Sequence, residues 1–543
     1  MHSIDGQLLK QMLLSAANNL YNHYPEIDAL NVFPVPDGDT GMNMNLTLTS
    51  GAKEIANRND EDAYTIVNLF SRGLLMGARG NSGVITSQIF RGFAKALKDK
   101  QEVNVMELAE AFTMGSEVAY KAVMRPVEGT ILTVIRESSE ALNDYVNEGL
   151  SIEEAMEYLV KEAKASLNRT PDLLPVLKEV GVVDSGGAGL VTIFEGMLSS
   201  VHGEFIDKAT ATSMVKKEIY DANGKKGYYV QFKLHLGPKD QKKEFIERRY
   251  ISILEAHGKN VKVVREGDVI DTKLISYAPG ALLTYAQGFG EFSDVKIDNE
   301  VSEDIEEEKP AEPVKEAPKK EPAKQYGLVA ISAGSGIDDY FNEIGVDKIV
   351  SGGQTMNPSI EDIIKAIREC NAKTVFVLPN NSNIVMAAVQ AADVLVDEVD
   401  VRVITTKTIP QGIVAASAFN PDASADDNAE EMKEAYSNLK SGAVTYAIKD
   451  TSIDGVEVTK DYFMGIMDKK IVVCEKNKYT SLFSLLEKMI NEDSYLITLF
   501  AGEDISDDEL DLIRAKVEKK FPGVELDLRK GNQPVYSFLL GVE

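Results

Sequence analysis

Apolar residues recur every four positions through the first two hundred residues of the chain. Ile85, Ile89, Phe93 and Leu97 form one such series, and Ile4, Leu8, Met12, Ala16 and Leu20 form another. This spacing stacks side chains on one face of a helix, so the region is predicted to be helical. From about residue 213 the period changes. Val230, Phe232, Leu234 and Leu236 alternate with Gln231, Lys233 and His235, the pattern of a strand with one buried face. A small α/β region over 206–297 is expected from this.

Residues 298–325 read DNEVSEDIEEEKPAEPVKEAPKKEPAKQ, with four prolines and no aromatic residue. Such a segment buries too little apolar area to offset its ordering entropy, and the prolines oppose a helix, so an extended linker is expected. Beyond it, the apolar runs GLVAISA (327–333), KIVSGG (348–353), TVFVLP (374–379) and VRVITT (401–406) alternate with helical stretches such as Ser359–Asn371 and Asn383–Val396. That order predicts βαβ units and a mostly parallel sheet. Residues 463–543 continue in the same style. The expected architecture is therefore multidomain: a helical region over 1–205, a middle α/β domain over 206–297, a linker over 298–325, and C-terminal α/β layers over 326–543.

The totals narrow the chemistry. At 543 residues the chain is too long for one core. A net charge of −28 excludes a nucleic-acid binder, which needs basic surface to displace counterions from phosphate, and opposes docking on an anionic lipid surface. Two cysteines without a Cys-x-x-Cys pair imply no disulfide framework. No apolar stretch of about 18 residues and no signal-peptide pattern is seen, so a cytoplasmic protein is expected, without a transmembrane segment.

Residues 31–45, NVFPVPDGDTGMNMN, carry the densest chemistry. Pro34 and Pro36 keep the approach non-helical. Asp37 and Asp39, two apart in a glycine-containing loop, can converge on a hard cation. Thr40, Gly41 and Asn43 then open a helix, whose free N–H groups suit a phosphate. Asp-Gly turns and helix caps use the same residues, so spacing alone leaves both readings open. A second stretch, Gly77–Gly83, can offer the Arg79 guanidinium, the Ser82 hydroxyl and backbone N–H groups to a phosphate, or serve as a helix cap. A third, Val183–Gly189, is a glycine-rich turn before a helix and is weak alone. No Gly-x-x-x-x-Gly-Lys-Ser/Thr run is present, so the chain is not a P-loop enzyme.

These three stretches, in this order, resemble the ATP-binding L-subunit domain of dihydroxyacetone kinases. With RPVEGTILTV (125–134), RTPDLLPVLKEVGVVDSGGAGL (169–190), SGGQTMNPS and LPNNSNI added, nearly the whole chain resembles the ATP-binding subunit of bacterial fatty acid kinases. The resemblance implies an all-α helical barrel with ATP at one open end. It implies Mg²⁺ held by Asp37 and Asp39, with Asn31 at the third ligand position, where the family has a carboxylate. Asp37, Asp39 and Arg79 take the catalytic roles. Thr40, Gly41, Asn43, Met44, Asn81, Ser82 and Gly83 fall at the phosphates, and Thr130, Asp184, Ser185 and Gly186 line the nucleotide.

The implied reaction moves the γ-phosphoryl of ATP to a fatty-acid carboxylate presented by a separate DegV-type fatty-acid-binding protein, giving acyl phosphate for phospholipid synthesis. The C-terminal region is expected to dock that partner and to form a homodimer contact. A dihydroxyacetone-type small-molecule kinase and a nucleotide-binding regulatory scaffold are the alternatives. Relatives carry a Cys and a His-x-His zinc set in the middle domain. Here Tyr229, Lys273 and Ile275 stand at those positions, so no zinc is expected.

Overall fold

A computed structural model describes residues 1–32, 38–208, 217–218, 228–236, 250, 254, 258–266, 269–276, 279–298, 300–301, 324–353, 357–447, 450–453 and 455–543. The chain divides into two compact units, one of residues 1–208 with 320–543 and one of 209–319.

The predicted N-terminal helices form. They are α1 (Gly6–Ala29), α2 (Thr40–Ile55), α3 (Ala63–Gly77), α4 (Gly80–Ala96), α5 (Val105–Ala122), α6 (Ile131–Tyr145), α7 (Ile152–Leu173), the short α8 (Pro175–Val180) and α9 (Ser185–Val201). Ser3–Ile4 (β1) and Val103–Asn104 (β2) pair antiparallel, so Ile4 sits in a strand rather than at the head of the first helix. Capping chemistry sets several starts: Asp5 accepts from Leu8 N–H at α1, and Asn104 and Ser151 close capping boxes with Glu107 and Glu154. The helices share one apolar core. Through it runs a chain of rings, Phe70, Phe90, Phe93, Phe112 and Phe194, with successive centroids 5.2, 6.2, 5.0 and 5.2 Å apart.

The unit of residues 209–319 is built on β4 (Tyr228–Leu236), β5 (Gly258–Glu266), β6 (Val269–Ser276) and β7 (Gly290–Asp298), an antiparallel sheet of order β5-β6-β4-β7, with α10 (Pro279–Gln287). A minor pair joins β3 (Lys217–Glu218) to β8 (Glu300–Val301). The alternation read from sequence holds, with Val230, Phe232 and Leu234 buried on one face. The β4–β6 register sets Tyr229 opposite Ile275 and Gln231 opposite Lys273, so the two stretches compared with zinc-ligand positions in the sequence face each other across the ladder. The segment expected as a linker starts inside β7 and ends in the first strand of the next region. Its residues 302–323 lie outside the described residues.

The C-terminal region begins with β9 (Lys324–Ser332), β10 (Lys348–Ser351), β11 (Ala372–Leu378) and β12 (Asp400–Val403), all parallel in the order β10-β9-β11-β12. Its helices are α11 (Ser335–Glu343), α12 (Ile360–Cys370), α13 (Val385–Val394), α14 (Ile409–Ser417) and α15 (Ala425–Ala435). The final region corrects the parallel expectation. Strands β13 (Lys440–Tyr446), β16 (Phe463–Met467), β17 (Lys470–Glu475), β18 (Leu496–Ala501), β19 (Glu525–Lys530) and β20 (Tyr536–Val542) make a mixed sheet of order β17-β16-β13-β20-β18-β19, parallel only between β18 and β19. A separate hairpin pairs β14 (Thr451–Ile453) with β15 (Val456–Val458), and α16 (Lys478–Met489) and α17 (Asp507–Lys520) complete the region. The reason lies partly in one turn. Asp468 and Lys469 join β16 to β17 with φ of 45° and 75°, and a two-residue loop with both φ positive folds a strand back on its neighbour.

Residues 1–208 and the parallel sheet are not merely tethered. Ala78 and Val84, at the α3–α4 corner, belong to the same buried apolar cluster as Ile360, Ile363 and Ile367 of α12 and Ala388 of α13. Ile360 N–H donates to the Ala78 carbonyl at 3.2 Å, and Gln88 Nε2 donates to Gln390 Oε1 at 2.7 Å.

Candidate functional site

Four helices begin at one pocket. Its wall includes Thr40 at the start of α2, Asn81 and Ser82 in the first turn of α4, Thr130 and Ile131 at the start of α6, and Ser185 and Gly186 at the start of α9. Asn31, Asp39, Asn43 and Asp184 complete the polar lining. Each helix start brings the positive end of its dipole to the pocket, which favours an anion there.

Local chemistry explains the helix starts. Thr130 caps α6, accepting from Leu132 N–H at 3.4 Å while its hydroxyl donates to Val127 O at 2.8 Å. Gly129 before it has a φ of +82°, and a Cβ there would lie 2.9 Å from Leu174 Cβ, so a side chain is excluded on two counts. Asp184 caps α9, accepting from Gly187 N–H at 2.7 Å. Its own N–H donates to Thr170 Oγ1 at 3.1 Å. Burial pushes the Asp184 carboxyl up to about 6, against the pull of the Gly187 and Ile131 N–H groups.

Asp39 stands at the N-cap of α2 but makes no side-chain cap bond there. That place is taken by Asp28, from the last turn of α1, whose Oδ1 accepts from Met42 N–H at 3.1 Å. Burial pushes Asp28 up to about 6, with the Met42 and Gly41 N–H groups pulling it down and the Asp39 charge adding to the rise. The N–H groups expected to be free for phosphate at Gly41 and Met42 are thus already engaged. Asp28 is the residue that sequence reasoning missed. Its signal is only positional, a carboxylate at the end of the helix that precedes the loop.

Ten of the residues expected at a phosphate or nucleotide site line this pocket: Asn31, Asp39, Thr40, Asn43, Asn81, Ser82, Thr130, Asp184, Ser185 and Gly186. Three others serve as packing positions. A Cβ on Gly41 would lie 2.2 Å from Tyr24 O of α1, one on Gly83 would lie 2.4 Å from Thr47 Oγ1 of α2, and Met44 is fully buried in the helical core against Gly189. Arg79 turns its guanidinium to the Asn357 carbonyl at 2.9 Å. Asp37 lies outside the described residues. The rest of the wall is Ile85, Val123, Val127, Leu132 and Met386 with Arg125 and Asn383; Arg125, Val127, Leu132 and Asn383 fall in the quoted stretches RPVEGTILTV and LPNNSNI, and Val123 and Met386 were not singled out from sequence.

Oxygen donors are what the site can offer a cation. Asp39 is a buried carboxylate, and Asn31 and Asn43 carry buried side-chain amides. That set suits a hard ion such as Mg²⁺, which keeps few protein ligands and fills the rest with water and phosphate. Among the described residues no three His, Cys, Asp or Glu side chains group as metal ligands. No helix among them is long and apolar enough to cross a membrane.

Comparison with known proteins places this architecture. Residues 34–199 match the DAK2 domain, and residues 327–543 match the FakA-like C-terminal domain of fatty acid kinases. Protein YloV of Bacillus subtilis is 44% identical, covering 100% of this chain and 99% of that protein. An uncharacterized protein of Staphylococcus haemolyticus is 42% identical, covering 99% of each. Among solved structures, the dihydroxyacetone kinase of C. freundii in complex with AMP-PNP and Mg²⁺ gives a TM-score of 0.29 at 19% identity over 37% of this chain and 35% of that one. DegV, a fatty acid binding protein from Bacillus subtilis, gives 0.31 at 12% identity over 40% of this chain and 98% of that one, and both likenesses are too slight to bear on function. A helical DAK2 region and a FakA-like C-terminal α/β region, in one chain matched end to end by its relatives, make this protein a member of the FakA-like fatty acid kinase family.

Proposed function

We propose that the chain is an ATP-dependent kinase that transfers the γ-phosphoryl group to the carboxylate of a fatty acid carried by a separate DegV-type protein. The product is an acyl phosphate, a substrate for phospholipid synthesis. The observation that carries this reading is the convergence of the α2, α4, α6 and α9 starts on one pocket beside the buried Asp39 carboxylate. Family membership supplies the reaction class.

In this reading the pocket binds a nucleotide by its phosphates. Ile85, Val123, Val127 and Leu132 offer an apolar wall for the base. Thr40, Asn81, Ser82 and Ser185 offer N–H and side-chain donors to phosphate oxygens. Asp39, with Asn31, Asn43 and Asp37 nearby in sequence, would hold Mg²⁺, which would neutralise charge as the β–γ bridge breaks. A fatty-acid carboxylate is already ionised near pH 7, so its oxygen attacks the γ-phosphorus without a general base. The bond from that phosphorus to the bridging oxygen breaks, ADP leaves with the electron pair, and no proton moves. The protein's work is positioning and charge stabilisation rather than covalent catalysis.

The test is transfer from labelled ATP with Mg²⁺ to oleate, with and without a DegV-type fatty-acid-binding protein from the same organism, with Asp39→Ala as control. Acyl phosphate that needs both the carrier and Asp39 is expected. Phosphorylation of dihydroxyacetone instead would move the acceptor assignment. A second reading, a nucleotide-binding regulator without transfer, is favoured by the middle domain, where Tyr229, Lys273 and Ile275 stand at the zinc-ligand positions. Nucleotide binding with no transfer to either acceptor would establish it.

A further inference from the structure

Three polar groups assigned to the phosphate and metal are each engaged by the C-terminal α/β region. Asp39 Oδ2 accepts from Asn357 Nδ2 at 2.6 Å. The Arg79 guanidinium donates to the backbone carbonyl of the same Asn357 at 2.9 Å and lies 3.9 Å from Asp362. Asn81 Nδ2 donates to Asn383 Oδ1 at 3.1 Å. Asn357 is 2% exposed, and its Oδ1 has no hydrogen-bond partner, a costly arrangement for a buried amide. Its Nδ2 reaches toward a second acceptor, Asn43 Oδ1, at 3.4 Å. The amide nitrogen therefore lies against Asp39 and leans toward Asn43, two oxygens the site would offer a cation.

A cation held by both of these oxygens would lie between them, where Asn357 Nδ2 lies now. With Mg²⁺–oxygen distances of about 2.1 Å, the ion and the amide nitrogen would compete for that position. The amide N–H carries only a partial positive charge, so it is a weak substitute for the ion. Arg79 adds a second reason for exclusion. A phosphate accepts a stronger, charge-assisted pair of bonds from a guanidinium than a peptide carbonyl does. An Arg79 drawn to phosphate releases the Asn357 backbone at the moment the metal displaces its side chain. The same residue thus loses both anchors, which favours its withdrawal over a turn of the amide in place.

We propose that Asn357 is a built-in competitor for the metal–phosphate site. It holds the segment before α12, residues 357–359, on Asp39 and Arg79, and Mg²⁺–nucleotide binding displaces it. Occupancy of the pocket is thereby coupled to the C-terminal region, because this segment leads directly into the apolar contact of Ile360 with Ala78 and Val84. The inference rests on the reading of the pocket as a Mg²⁺–nucleotide site.

The test is calorimetric titration of the full chain with AMP-PNP and Mg²⁺, for wild type, Asn357→Ala and Asn357→Ser, with thermal melting of the same proteins with and without ligand. Removing the competitor should tighten binding about tenfold, the worth of one hydrogen bond to a charged group. Without ligand both variants should melt below wild type, and at saturating ligand all three should melt together. Affinity unchanged in a folded variant refutes the competition, and weakened affinity refutes it by making Asn357 a ligand. Failure of wild type itself to bind AMP-PNP would bring down the nucleotide reading, and this inference with it.

Discussion

Asp184 carries a cost that can be measured. Its carboxyl is buried at the α6–α9 junction and is pushed from 3.8 up to about 6. The rise is about two pKa units, and at about 1.36 kcal/mol per unit it corresponds to roughly 3 kcal/mol. The sign follows from proton binding. Between about pH 4 and pH 6 folded Asp184 holds a proton that the unfolded chain has released. The stabilisation from that proton is complete below about 3.8 and is lost as pH rises through 6. Asp184→Asn is neutral throughout and can still accept from Gly187 N–H. The assay is urea unfolding of the full chain, followed by helical circular dichroism from pH 4 to pH 7.5, for wild type and variant in parallel. Other titrating groups cancel in the difference between the two. Wild type should gain up to about 3 kcal/mol on the variant as pH falls from 7 to 4, and near pH 7 the variant should be no less stable than wild type by more than about 1 kcal/mol, the worth of one imperfectly replaced hydrogen bond. A difference that stays flat across this range would refute the burial of an ionised Asp184 at neutral pH.

Two further substitutions probe the frame of the pocket. Gly41→Ala puts a Cβ 2.2 Å from the Tyr24 carbonyl and 3.0 Å from Ile27 Cβ, so α2 must move off α1. A destabilisation of about 1–3 kcal/mol is expected by thermal melting, together with loss of AMP-PNP binding, because Asp39 and Thr40 move with the helix. Phe112→Ala removes a ring that is 1% exposed and meets Phe93 and Phe194 edge-on at 5.0 and 5.2 Å. Urea unfolding should show a loss of about 3–5 kcal/mol in the helical transition, with nucleotide affinity retained where the protein is folded.

Where local chemistry marks both ends of an element, the sequence shows the element. The pattern predicts helix α12 over Ser359–Asn371. It runs Ile360–Cys370 because Ser359 closes a capping box with Asp362, and Asn371, at φ 48° and ψ 49°, ends it in the left-handed region. The β16–β17 hairpin is not visible in the sequence, since Asp468-Lys469 lacks the glycine that usually marks such a turn. The same contrast runs through the pocket. Asp39, Thr40, Ser82, Thr130 and Asp184 are legible because each opens or caps a helix. Gly41 and Gly83 share those motifs but serve close helix packing, a distinction that only the neighbouring helix reveals. Asp28 is illegible as a site residue, and Asn357, which falls in the SGGQTMNPS stretch, is illegible as a partner of Asp39, for a common reason. Each acts across a contact between elements, Asp28 from α1 onto α2 and Asn357 from 318 positions along the chain onto Asp39. No local pattern records a partner that distant.

The overall charge of −28 and the proposed phosphate-binding role of the pocket are reconciled by local fields. A helix start is equivalent to about half a positive charge, and four converge here, although Asp28 and Asp184 already engage N–H groups at the starts of α2 and α9. Asp39 on the wall and Asp28 behind it oppose this, and nearby carboxylates raise one another's cost of ionisation. A polyphosphate brought alone would meet dipoles that attract it and carboxylates that repel it. A divalent cation reverses the second term, because it converts Asp39 from a repelling neighbour into a shared ligand. The amide of Asn357 does the same for Asp39 with only a fraction of a charge. In the proposed competition, the side chain that partners Asp39 here gives way when a stronger positive charge arrives.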